Sequence, residues 1–80
     1  MADVSAPRDV AIREDSIRLG QLLKLADLVD AGADVKPLMI GGLVSVNGEV
    51  ETRRGRRLVR GDVVTVTDEQ GRTGQSVRVT

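Results

Sequence analysis

Histidine and cysteine are both absent from this 80-residue chain, and so are phenylalanine, tyrosine and tryptophan. Without histidine the usual general base is missing, and nothing activates a serine, threonine or carboxylate nucleophile. Without cysteine there is no disulfide, no thiolate and none of the common zinc sets. The acidic residues form no pair at a catalytic spacing, and neither Gly41-Gly42 nor Gly71-Arg72-Thr73-Gly74 has the spacing of a phosphate-cradling loop. A non-catalytic binding protein is therefore expected, with no cofactor, metal or small-molecule substrate. The lack of aromatics argues against modules that stack single-stranded bases on ring faces. No apolar run approaches the ~20 residues of a membrane span. Residues Met1 to Val10 also lack the apolar centre of a secretory signal, so the expected compartment is the cytoplasm.

What is present is aliphatic and charged. Valine occurs thirteen times and leucine eight, which favours a sheet carrying a small helical layer. Eighty residues make one small domain, near the size at which a single core is only marginally stabilising. The formal net charge is zero, but it is unevenly spread. Residues 1–35 hold seven acidic and four basic side chains, residues 36–60 two and six, and residues 61–80 three and two. The middle segment thus carries +4 against −3 and −1 on its flanks. Such a patch can act on a phosphate backbone locally, because the Debye length at physiological salt is only ~8 Å.

Along the chain, residues 1–9 are polar and read as a flexible tail, with residues 10–80 as the domain. Val10 and Ile12 share a face and suggest a first edge strand. Ser16 to Ala26 reads as a helix capped by Asp15 or Ser16, because Leu19, Leu22, Leu23 and Ala26 fall at i, i+3, i+4 and i+7. Gly20 interrupts it and marks either a later start or a close approach to another backbone. Arg18 and Lys24 lie off the stripe and face solvent or a ligand. A second helix begun at Ala31 would carry Pro37 in its third turn and kink there; with Asp34 as N-cap, the preferred reading, it runs about Val35 to Ile40. That places Pro37 in the first turn, where its missing N–H costs little, and the helix ends at Gly41-Gly42.

Asn47-Gly48 between valine-rich runs is a strong hairpin signal. A two-residue loop would set Val46 opposite Glu49 and place valines and carboxylates on one face. A three-residue loop pairs Val46 with Val50 and Val44 with Thr52, and this longer loop, with Val44, Val46 and Val50 inward, is the expected one. Val63 to Thr67 reads as a strong strand, Asp68 to Gly74 as a polar turn, and Val77 and Val79 as a last edge strand. The expected fold is α+β: two short helices packed on a four- to five-stranded, mainly antiparallel sheet.

Between the hairpin and the last strands lies Thr-Arg-Arg-Gly-Arg-Arg, residues 52–57, and five of the twelve basic residues fall between Arg53 and Arg60. An ordinary solvated turn could have this composition. Two features favour a polyanion site. Gly55 permits a tight turn that lets arginines on either side converge, and the planar guanidinium suits bidentate phosphate contact.

Arg18-Leu19, Leu22-Leu23, Leu38-Met39-Ile40-Gly41-Gly42, Leu43-Val44-Ser45-Val46-Asn47-Gly48 and Arg60-Gly61-Asp62-Val63-Val64 together resemble the S4 RNA-binding domain, or αL motif, over about residues 10–67. Glu49 to Arg57 and Leu22 to Leu25 are most similar to the small stand-alone bacterial members, described as ribosome-associated. The resemblance implies a monomer that binds structured RNA, ribosomal RNA foremost. The implied contacts are Arg18 at the opening of the first helix, Lys36 in the second, and Arg53, Arg54, Arg56 and Arg57 after the hairpin. Lys24 is added from its place on the helix face. Three positions depart from the family pattern. Gly20 stands for its usual Asp, Gly32 for a frequent Arg, and Pro37 interrupts the second helix, so weight shifts to the arginine corner. The alternative reading is a protein-interaction module whose arginines meet an acidic partner, with the Val77–Val79 edge open to strand addition.

Overall fold

In the computed structural model, residues 7–29, 35–67 and 73–80 are described. The elements in order are β1 (Arg8–Val10), β2 (Ser16–Arg18), α1 (Leu19–Leu25), α2 (Lys36–Ile40), β3 (Val44–Val46), β4 (Glu49–Val50), β5 (Arg57–Val59), β6 (Val63–Thr67) and β7 (Thr73–Val79). A five-stranded sheet runs in the order β1-β7-β6-β3-β4, antiparallel except where β1 lies parallel to β7. β2 and β5 form a separate antiparallel pair. The α+β architecture is the expected one.

Alternation builds the inner face of the sheet. Val44 and Val46 of β3, Val64 of β6 and Val77 and Val79 of β7 are all buried, because side chains at every second position point the same way. Against them pack Leu19, Leu22, Leu23 and Ala26 from the helical stripe, with Val35, Met39, Leu58 and Ile12. Among the described residues the core is aliphatic apart from the Met39 thioether.

Both helices stop in the same manner. At the end of α2, the Gly42 and Leu43 N–H groups donate to Met39 and Leu38 carbonyls at 3.2 and 3.1 Å, with Gly42 at φ 71°. At the end of α1, Asp27 and Leu28 donate to Lys24 and Leu23 at 3.2 and 2.9 Å, with Asp27 at φ 57°. These are paired Schellman closures, one on glycine and one on aspartate. Pro37 lies in the first turn of α2, so it starts the helix and does not kink it. Val35 is the N-cap; the expected cap, Asp34, is outside the described residues.

Four expectations are corrected. The first helix begins at Leu19 and not Ser16, because Ser16, Ile17 and Arg18 pair with Val59, Leu58 and Arg57. The hairpin has a two-residue loop, Asn47-Gly48, with Val46 opposite Glu49 and Ser45 opposite Val50. Both loop residues are left-handed, at φ 53° and 87°, as the tight hairpin turn requires. Val50 is therefore outward and 62% exposed, and Glu51 turns inward in its place. β7 is not an edge: it lies between β6 and β1, which removes the strand on which edge addition was to depend. Finally, β1 begins at Arg8, earlier than expected, while Ile12 is buried beyond its end.

The two glycine turns are tied together. Asn47 Oδ1 accepts from the Val63 N–H at 2.9 Å, and Asn47 Nδ2 donates to Asp62 Oδ1 at 3.0 Å. Asp62 Oδ2 accepts from the Val59 N–H at 2.9 Å. The Asn-Gly and Gly-Asp pairs thus fix where β5 turns into β6 beside the hairpin.

Candidate nucleic-acid interface

The arginine corner is a tight turn. The Arg56 N–H donates to the Arg53 carbonyl at 3.1 Å, with Arg54 and Gly55 at the tip. The start of α1 holds this turn from one side. The Leu19 N–H donates to the Arg56 carbonyl at 2.9 Å, and the Gly20 N–H donates to the Arg54 carbonyl at 2.8 Å. Arg18 Nη1 donates to the Gly55 carbonyl at 2.8 Å. Donors left unpaired at a helix start are thereby satisfied by the loop that carries the charges. A Cβ on Gly20 would sit 3.5 Å from the Arg54 carbonyl oxygen, so the close approach anticipated there is real yet leaves room for a methyl group.

Glu51 holds the turn from the other side. Its Oε2 accepts from the N–H groups of Thr52 and Arg53, each at 3.0 Å, and from Arg53 Nε at 3.3 Å. Its Oε1 accepts from Arg56 Nη1 at 3.1 Å. The residue is only 6% exposed, whereas the side chains of Arg53 and Arg56 are 78% and 34% exposed. The hydrogen bond from the Arg53 side chain, then that from its backbone N–H, and then Arg56, lower the Glu51 pKa from 4.5 to about 2, against an opposing effect of burial.

Two shallow depressions meet at Arg54. One, of about 300 Å³, is lined by Arg18, Gly20, Gln21, Lys24, Val35, Arg54 and Gly55. The other, of about 210 Å³, is lined by Lys36, Met39, Ile40, Thr52 and Arg54. Arg18, Lys24, Lys36 and Arg54, drawn from three separate parts of the chain, are thus brought onto adjoining surface. Arg57 lies on β5 directly across from Arg18. Arg53 and Arg56 belong to the same turn but are engaged by Glu51.

A family model for the S4 domain matches residues 10–74. The chain belongs to the S4 domain family. It is 44% identical over 57 residues to the probable ribosome maturation protein RlbA of Bacillus subtilis (strain 168), covering 71% of this chain and 80% of that protein. Its fold matches the solution structure of YbcJ from E. coli, described as having an ALFAL motif involved in RNA-binding. That match has a TM-score of 0.66 and 30% identity, and covers all of this chain and 95% of the other.

The principal residue of this S4 domain that sequence reasoning missed is Glu51. The signal was available: a two-residue loop puts Glu51 on the face of Val44, and arginines follow two and five positions later. Apolar alternation alone disfavours that register, because it buries a carboxylate. The structure buries it with its counter-ions.

Proposed function

We propose that this S4-domain protein binds structured RNA, ribosomal RNA foremost, through phosphate-directed contacts on the basic surface that Arg18, Lys24, Lys36, Arg54 and Arg57 form around the arginine turn. It does so as a cytoplasmic, ribosome-associated monomer, by binding and without turnover. The observation that carries this reading is the docking of the arginine turn on the start of α1, with 2.8 Å and 2.9 Å backbone hydrogen bonds that set Arg54 beside Arg18 and Lys24. Preorganised cations lose less entropy on meeting a polyanion than cations on a loose loop. The name of the Bacillus subtilis relative and the RNA-binding motif described for YbcJ support the same reading.

With ~4–6 phosphate contacts, log affinity falls with log salt at a slope of about −3 to −5. Filter binding to structured ribosomal RNA at several salt concentrations measures it. Replacing Arg53, Arg54, Arg56 and Arg57 together by Ala weakens every RNA to a similar extent, because phosphate contacts carry no sequence information. A flat salt dependence, or unchanged affinity in that variant, refutes the proposal.

A further inference from the structure

The four arginines of the corner differ in what holds them. Arg56 turns inward onto the Glu51 carboxylate at 3.1 Å, and its own backbone is pinned by the Leu19 N–H. Arg53 presents Nε at 3.3 Å and Nη2 at 3.5 Å to the same carboxylate, while its side chain as a whole stays 78% exposed. Arg54 and Arg57 are exposed, and among the described residues no side-chain hydrogen bond or ion pair engages them. Pulling Arg56 away to meet a phosphate would leave a buried carboxylate short of a partner, which is costly.

We infer that Glu51 is the positioning residue of this corner and sorts its arginines. Arg56 is an inward strut, Arg53 is steered by its inner edge, and phosphate contact falls to Arg54 and Arg57 with Arg18, Lys24 and Lys36. The assignment rests on the RNA-binding reading and specifies which cations perform it. Five outward cations agree with the ~4–6 contacts assumed above.

The test is a salt titration of the full chain against a structured ribosomal RNA hairpin and, in parallel, against heparin. Arg54→Ala and Arg57→Ala each make the RNA slope shallower by ~0.7–0.9, while Arg56→Ala leaves it unchanged. Glu51→Gln, checked for a native circular dichroism spectrum, makes the slope steeper, because Arg56 is released to the polyanion. A residue with a purely structural role would lower affinity without raising the number of ions displaced. Arg56→Ala flattening the slope as much as Arg54→Ala overturns the assignment, as does an unchanged slope in folded Glu51→Gln. If Glu51→Gln does not fold, the comparison of Arg56→Ala with Arg54→Ala decides alone, with Arg56→Gln in its place where alanine also unfolds the chain. The expected ranking on heparin without RNA binding refutes the function and leaves the sorting intact. RNA binding with equivalent arginines does the reverse, and binding to neither polyanion overturns both.

Discussion

At Glu51 one carboxylate does two jobs, ending the hairpin inward and anchoring the turn that follows it. Its depressed pKa makes that anchorage depend on pH. A carboxyl group held at about 2 when folded and 4.5 when free contributes stability fully above pH 4.5 and loses it as pH falls towards about 2. Thermal melts of the native chain and Glu51→Gln should therefore differ most near neutral pH and converge between pH 4.5 and about 2. Comparing the two cancels the other acids, which titrate in both. Asp27 offers a second test. It occupies the left-handed position that glycine fills after α2, at φ 57°, and a non-glycine residue there carries a conformational cost. Asp27→Gly is expected to raise the stability measured in urea by about 0.5–1 kcal/mol.

Among the elements, β7 depends on a glycine where its pairing with β6 shifts register, between Val66 and Thr67. A Cβ on Gly74 would lie 2.4 Å from the Val66 carbonyl oxygen, which is backbone and cannot swing aside. Gly74→Ala is expected to lower the urea midpoint, by about 1–3 kcal/mol in stability, with the slope of the transition unchanged. The elements also differ in how readable they were. The stripe Leu19, Leu22, Leu23, Ala26 and the alternation of Val44 with Val46 are local patterns, and both appear as expected. Ser16-Ile17-Arg18 has no period of its own to set it apart from the helix that follows; the strand form of β2 comes from pairing with β5, some forty residues on. The hairpin register was misread because apolar alternation was weighed without the arginines that make a buried Glu51 tolerable.

Across the whole molecule, a formal charge of zero conceals a basic surface assembled from α1, α2 and the corner. The cations of this surface could be named from the sequence, since the pattern around Asn47-Gly48 and Gly61-Asp62 resembled the S4 domain. What the sequence left open was how they divide, because that division depends on which guanidinium reaches a carboxylate. The Asn47–Asp62 hydrogen bond gives the two turn motifs a shared physical purpose: they set the frame between which the corner is suspended.

The parallel pairing of β1 with β7 joins Arg8 to Val77 and Val10 to Val79, with the Thr80 N–H donating to the Val10 carbonyl at 2.8 Å. Translation makes these partners far apart in time. Arg8 to Val10 is synthesised about seventy residues before its neighbour in the sheet. Until then β1 has no place to dock, and the buried faces of Val77 and Val79 do not exist to receive Ile12 and the strand before it. Closing so long a loop makes this a late step of folding. The sheet of the nascent chain is completed only after synthesis has reached Val79.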